Sequence, residues 1–274
     1  MDKVGISTCG KTPDAELFRS CRAAGIDYAE LSMAYDAYPA ADYTGIVQAA
    51  AQAGVTLWSM HLPFGPFDRL DISSADETLR AGSVAYLTEL MERTGPLGFH
   101  KFIVHPSGEP IADEERPVRM AAARQSLTQL AEAAAAVGAV VAVENLPRTC
   151  LGKNSDEILE LLSADDRLRV CFDTNHLLAE NAVEFIRKVG GKIITTHVSD
   201  YDLVDEKHWL PGEGKCPWNA LLQELQAVGY TGPWLYELGF KAPATQPRSR
   251  DLTCEDFRRN ADELFAGKTP TVIK

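Results

Sequence analysis

Short apolar segments recur along the chain, and each precedes a longer segment with the polar and apolar spacing of an amphipathic helix. Most of the short segments are apolar at consecutive positions, which is typical of parallel strands covered on both faces. Eight segments have this character: KVGIS, DYAELS, VTLWSMH, KFIVH, AVVAVEN, LRVCFD, KIITTHVS and PWLYELG. The pattern therefore predicts eight strands that alternate with helices.

Helices are predicted at residues 13–24, 42–53, 74–93, 115–137, 155–162, 179–189, 218–228 and 255–265. Thr12 before Pro13, and Ser73 or Ser74, are the expected N-caps of the first and third helices. Eight strand–helix units in 274 residues predict a single (β/α)8 TIM barrel domain over residues 1–274, with its active site at the C-terminal ends of the strands. An open doubly wound sheet is the alternative, but no glycine-rich phosphate loop follows the first strand.

The composition of the chain indicates which classes of partner this barrel is expected to bind. The net charge is −12 and the isoelectric point about 5.0, without a run of basic residues, so nucleic acid is not the expected partner. Six cysteines are scattered singly, which predicts reduced thiols in a cytoplasmic protein. We find neither a signal-peptide pattern nor an apolar run of about 20 residues, so no membrane partner is expected.

Metal-competent side chains stand at the ends of the last six predicted strands. One such residue would ordinarily be a solvated or capping group, but six in succession indicate a site, because the strand ends of a barrel surround one mouth. The residues are His61, His105, Glu144, Asp173, His197 and Glu237.

A divalent cation would relieve the repulsion among the clustered acids. Glu144, Asp173, His197 and Glu237 offer three carboxylates and one imidazole. This oxygen-rich set favours Mn²⁺, with Mg²⁺ or Co²⁺ as alternatives, and disfavours Zn²⁺ because it contains no thiolate.

Seven segments together resemble the xylose isomerase-like TIM barrel superfamily, the sugar phosphate isomerase/epimerase group related to AP endonuclease family 2. They are MHLPFG, FIVHPSG, VAVENLP, VCFDTNH, TTHVSDYD, HWLPGEGKCPW and WLYELG. The resemblance implies the same four metal ligands, catalytic proton transfer by Glu144 and Glu237, and a substrate contact by His176. One departure is Cys150, which stands where ketose epimerases carry a substrate-binding glutamate.

The first functional hypothesis is a metal-dependent sugar isomerase or epimerase that acts on a keto-sugar through an enediolate. The alternative is a lyase or dehydratase, in which the enediolate expels a leaving group protonated by a histidine. The residues expected to contact substrate are His61, His105, His176, His208, Arg148 and Trp209. Phe64 could add an apolar wall, and Glu30 either lines the pocket or fills a polar layer. The resemblance also implies a homo-oligomer.

Two alternative functional hypotheses remain, a DNA-repair endonuclease and a non-catalytic subunit. In the DNA-repair branch, histidines placed like His61, His105 and His208 help to hold three zinc ions, but that branch needs an Asp-x-His unit. Here the segment reads DEKH, with Glu206 two residues before His208. The acidic composition also opposes DNA binding. The last alternative is a non-catalytic sugar-binding subunit.

Overall fold

The computed structural model describes residues 2–273 and confirms the predicted (β/α)8 barrel. Its parallel strands are β1 (Val4–Ser7), β2 (Tyr28–Leu31), β3 (Thr56–His61), β4 (Lys101–Val104), β5 (Val140–Glu144), β6 (Arg169–Asp173), β7 (Ile193–His197) and β8 (Trp234–Tyr236). The strands pair in the order β7-β6-β5-β4-β3-β2-β1-β8. A bridge between Val198 and Tyr236 joins the two ends, with the Val198 N–H donating to the Leu235 carbonyl at 2.8 Å. The sheet thus closes on itself.

A helix follows each strand and covers the outside of the barrel. The helices are α1 (Ala15–Ala23), α2 (Tyr43–Ala53), α3 (Glu77–Thr94), α4 (Arg116–Ala136), α5 (Ser155–Leu162), α6 (Ala182–Val189), α7 (Trp218–Ala227) and α8 (Cys254–Phe265). None of the helices within residues 2–273 combines the length and apolar character required to cross a membrane.

Three of the predicted helix starts are wrong by two or more residues. Helix α1 begins at Ala15 rather than Pro13, because the Asp14 carboxylate, not Thr12, accepts from the N–H groups of Glu16 and Leu17. Helix α3 begins at Glu77 and is capped by Asp76. Ser73 instead donates through its N–H and its hydroxyl to Asp71, so a tertiary contact removes it from the cap. Helix α6 begins at Ala182 rather than Ala179, because the Asn181 side chain caps it by accepting from the N–H groups of Val183 and Glu184.

Alternation along the strands separates two apolar layers. Residues that face the helices form the main core, in which Phe172 of β6 stacks on Phe185 of α6 at 5.5 Å between ring centroids. The barrel interior holds a small separate cluster of Ile103, Ala142 and Cys171 from three adjacent strands. Because side chains repeat every second residue, the residue two positions beyond each of these also faces inward. Those positions are His105, Glu144 and Asp173.

Two register shifts align further polar residues with this inner layer. In the β2–β3 pair, Ala29 lies opposite Leu57 but Glu30 lies opposite Ser59, so β3 carries one extra residue. In the β6–β7 pair, a second shift places His197 opposite Asp173. Such irregularities turn side chains at the rims of barrels.

Candidate metal centre and active site

Four of the predicted ligands converge at the C-terminal ends of β5 to β8. Glu144, Asp173 and His197 are the last residues of their strands, and Glu237 follows β8 directly. The Nδ1 atom of His197 lies 3.2 Å from Glu144 Oε1, 3.3 Å from Glu237 Oε2 and 3.9 Å from Asp173 Oδ2. One ligand atom from each of the four residues lies within 4.8 Å of the others. The structure therefore brings together the set that the sequence predicted as a metal site.

Unpartnered polar atoms indicate what this cluster can bind. Among the described residues, Glu144 Oε1, Asp173 Oδ2 and His197 Nδ1 are buried without a hydrogen-bond partner. A buried polar atom without a partner is costly, and native proteins retain few of them. These three atoms face one another, and their oxygen-rich chemistry suits a hard divalent cation. The residues present therefore fit a metal ion, although they do not select its identity.

Four imidazoles surround the Glu144 carboxylate. His61 Nε2 and His105 Nε2 lie 3.2 and 3.3 Å from its Oε2 atom, while His176 Nδ1 and His197 Nδ1 lie 3.3 and 3.2 Å from Oε1. His61 is oriented by its second ring nitrogen, since Nδ1 donates to the Leu62 carbonyl at 2.7 Å. Three of the predicted substrate-contacting histidines thus border the same carboxylate.

Burial and mutual charge set the ionisation of the cluster. Burial would raise the pKa of Glu144, but the positive charges of His197 and His105 hold it well below its usual range. Burial, together with the negative charges of Glu144 and Glu237, raises the pKa of Asp173 to about 7, although His176 opposes the shift. The clustered carboxylates therefore oppose the ionisation of Asp173, and a bound cation would favour its ionised form.

A second donor group lies beside the first. His176, Glu206 and His208 offer ligand atoms within 4.8 Å of one another, and His208 Nε2 lies 2.8 Å from Glu206 Oε1. Burial would raise the pKa of Glu206, but the neighbouring imidazoles of His176 and His208 hold it far below its usual range. Glu206 was not predicted as a site residue, because the segment DEKH lacks the Asp-x-His spacing. The structure shows that glutamate at this position reaches both histidines.

The two remaining predicted contacts lie at the rim. The Arg148 guanidinium pairs with Glu109 of the β4–α4 loop and, at 2.8 Å, with Glu206 of the β7–α7 loop. Arg148 therefore ties three loops together at the mouth. The Trp209 indole donates to Thr245 Oγ1 at 3.0 Å, which joins the β7–α7 and β8–α8 loops.

The segment LPGEG after His208 is shaped by a buried acid. Asp200 accepts hydrogen bonds from the N–H groups of Gly212 and Cys216 at 2.8 and 3.0 Å. A Cβ atom on Gly214 would lie 2.3 Å from Asp200 Oδ1, so only glycine fits there. Glycine is required at position 214 because the backbone there passes close to the Asp200 carboxylate.

Comparison with known proteins agrees with this geometry. The uncharacterized protein MJ1311 of Methanocaldococcus jannaschii is 29% identical over 176 residues, which cover 61% of this chain and 60% of that protein. Fructoselysine 3-epimerase of Escherichia coli O157:H7 is 28% identical over 120 residues, 42% of this chain and 44% of the enzyme. The chain thus spans less than two thirds of the length of these curated relatives.

A solved structure of D-psicose 3-epimerase in the presence of D-fructose superposes with a TM-score of 0.77 at 19% identity and covers 97% of both chains. At this identity the likeness concerns the fold. The family model described as xylose isomerase-like TIM barrel matches residues 18–254. This match covers most of the barrel and all the converging strand ends, and the chain belongs to the xylose isomerase-like TIM barrel family.

Proposed function

We propose that this protein is a divalent-metal-dependent sugar isomerase or epimerase that acts on a ketose or a ketose derivative. The observation that carries the proposal is the pair of carboxylates, Glu144 and Glu237, which approach His197 Nδ1 to 3.2 and 3.3 Å from different strands. Two carboxylates beside one cation site can remove a proton from a carbon next to a carbonyl and return it elsewhere.

Glu144, Asp173, His197 and Glu237 would hold the cation. When bound, it would supply a Lewis acid that stabilises negative charge developing on a substrate carbonyl oxygen. Mn²⁺ is the favoured ion, with Mg²⁺ and Co²⁺ as alternatives, because carboxylates outnumber imidazoles in the set.

The two glutamates have different surroundings, which suggests different tasks. Glu144 is fully buried beneath four imidazoles, whereas Glu237 keeps a side-chain exposure of 11% toward the mouth. Burial would raise the pKa of Glu237, but the positive charge of His197 holds it below its usual value. Glu237 is therefore the first candidate for the base that removes the proton. Glu144 would then return a proton to a different face or carbon of the substrate.

Aromatic and imidazole groups at the mouth suit a sugar. The Phe64 ring stacks on His105 at 4.4 Å between ring centroids and remains 46% exposed, which offers an apolar surface beside hydrogen-bonding groups. His61, His105, His176 and His208 are the proposed hydroxyl contacts. The names of the relatives, fructoselysine 3-epimerase and D-psicose 3-epimerase, support a ketose or ketose derivative as the substrate class.

The direct test uses Mn²⁺-loaded protein and a panel of ketoses, ketose–amine adducts and keto-glycosides in deuterated water. We expect deuterium at one carbon of an isomerised product. Glu237→Gln should lower turnover by about 10²–10⁴-fold while substrate binding persists. Glu160→Gln, an exposed change on α5, is the matched control and should leave turnover unchanged. Near-normal turnover by Glu237→Gln would show that Glu237 does not take part in the reaction.

Metal content per chain distinguishes this proposal from the alternative functional hypotheses. One manganese, magnesium or cobalt per chain is the expected result of elemental analysis on protein purified without chelator. Two or three zinc ions would assign the His176–Glu206–His208 group as ligands and redirect the search to abasic DNA. An unsaturated product or a released aglycone in the panel would instead identify a lyase.

A further inference from the structure

Glu30 is a buried carboxylate that the proposed reaction does not use. It lies on β2, its side chain is fully buried, and it is 167 residues from His197 in sequence. Burying an ionised carboxylate costs several kcal/mol unless a partner compensates it. Such a group in the barrel interior therefore needs a specific partner.

The partner is the ring nitrogen of His197 that faces away from the acids. His197 Nε2 lies 3.0 Å from Glu30 Oε1 and 3.1 Å from Oε2. The same ring directs Nδ1 toward Glu144, Asp173 and Glu237, and Nδ1 has no hydrogen-bond partner within the described chain. With a proton on Nε2 held by Glu30, the Nδ1 lone pair points into the acid cluster.

The carboxylate itself is fixed from β3. Ser59 Oγ donates to Glu30 Oε2 at 2.7 Å, and both residues are fully buried. The register shift between β2 and β3 brings Ser59 opposite Glu30. His61, two residues further along β3, stacks on the His197 ring with 5.6 Å between centroids and 16° between planes. The imidazole is thus held at one edge by Glu30 and on one face by His61.

We infer that Glu30 is a positioning residue that fixes the tautomer and orientation of His197 as an Nδ1 metal ligand. The inference rests on the proposed metal site and extends it to a carboxylate–histidine–metal arrangement. Hydrogen bonding of the second ring nitrogen to a carboxylate also makes an imidazole more basic, and loss of such a partner typically weakens metal binding 10–100-fold. Glu30 therefore acts on metal affinity without touching substrate.

The test measures binding of Mn²⁺ and Co²⁺ to metal-stripped protein by titration calorimetry. Glu30→Gln keeps the shape and one acceptor but removes the charge, and we expect its Kd to rise about tenfold or more. The matched control is Thr195→Val, a near-isosteric change of a buried residue on the strand that carries His197. This control should bind both ions like the wild type.

The absorption spectrum of the Co²⁺-loaded protein gives a second readout. It reports ligand geometry, so it should change in Glu30→Gln and remain unchanged in Thr195→Val. A polar residue that merely fills the interior would leave both the Kd and the spectrum unaltered, and that result would overturn the inference while leaving the metal site in place. A wild type that binds neither ion would overturn the proposed function and this inference together.

Ser59→Ala keeps the test decisive if Glu30→Gln does not fold. This variant leaves the charge of Glu30 but removes the hydrogen bond that fixes its rotamer. We expect a Kd about threefold higher, the usual effect of one such hydrogen bond. An unchanged Kd in Ser59→Ala would then count against the positioning role.

Discussion

A buried ion pair joins the β8–α8 loop to the neighbouring β7–α7 loop. Arg248 donates through Nε and Nη2 to Glu213 at 2.8 and 2.7 Å, and both side chains have 0% exposure. Glu213 also accepts from the Leu210 N–H at 2.8 Å, whereas Arg248 Nη1 is buried with no partner among the described residues. We predict that removing either member of the pair will strongly destabilise the fold.

The expected loss of unfolding free energy follows from the charge that stays buried after its partner is removed. Breaking a buried pair from one side costs about 3–5 kcal/mol, because the remaining ion stays buried without compensation. Glu213→Gln should lie at the upper end, since arginine does not lose its proton and Arg248 already has one unsatisfied nitrogen. Arg248→Met should cost less, because Glu213 keeps the Leu210 N–H as a hydrogen-bond donor. For a chain of 274 residues, at about 2.1 cal/mol/K of unfolding entropy per residue, the loss corresponds to a melting temperature lower by about 5–9 °C.

The assay is urea unfolding and thermal melting of both single variants and of the double variant. The double variant should be more stable than the sum of the two single changes predicts, by a coupling free energy of about 2–3 kcal/mol. If each single change costs less than about 1 kcal/mol, the pair behaves like a solvated surface pair and the reasoning is wrong. Purely additive losses would likewise show that the two charges do not interact.

Two further predictions concern other charged groups. Asp256 is nearly buried and its pKa is held well below its usual value, first by hydrogen bonds from Arg250, so Asp256→Asn should cost about 2–3 kcal/mol at pH 7. A lowered carboxyl pKa contributes its full stabilisation above the unfolded value of 3.8 and loses it as pH falls toward the lower folded value. The difference between the two proteins should therefore shrink below pH 3.8, and a difference that does not change with pH would contradict the prediction. Mn²⁺ at about 100 times its Kd should stabilise the wild type by about 2.7 kcal/mol. Asp173→Asn should lose most of this gain in a thermal-shift measurement, and an equal gain in both proteins would place the metal elsewhere.

The strand-end residues could be predicted because two regularities determine their placement. A parallel strand of a closed barrel directs every second side chain inward, and all the strands end at the same mouth. Ala142 and Glu144, or Cys171 and Asp173, therefore share one side of their strands whatever the neighbouring strands contain. Such regularities depend only on sequence spacing, so the fold and the four-residue convergence were accessible from the chain alone.

Contacts between distant residues were not accessible in this way. The role of Glu30 depends on a register shift that sets it opposite Ser59 and on the 167-residue separation from His197. Glu206 reaches His176 through a loop whose path no periodicity describes. The predicted start of α3 failed for a related reason, since Ser73 contacts Asp71 and is not free to cap the helix.

Hydrogen bonding distinguishes the buried acid Asp200 from Glu144 and Asp173, which residue type alone cannot do. Asp200 is fully buried, and its two oxygens accept from three backbone N–H groups and from the Trp218 indole. A cation would find no free oxygen there. Glu144 and Asp173 are equally buried, yet each keeps one oxygen without a partner in the described chain, and both oxygens face His197 Nδ1. Since burial without a partner opposes folding, the proposed cation would compensate these atoms in the barrel interior.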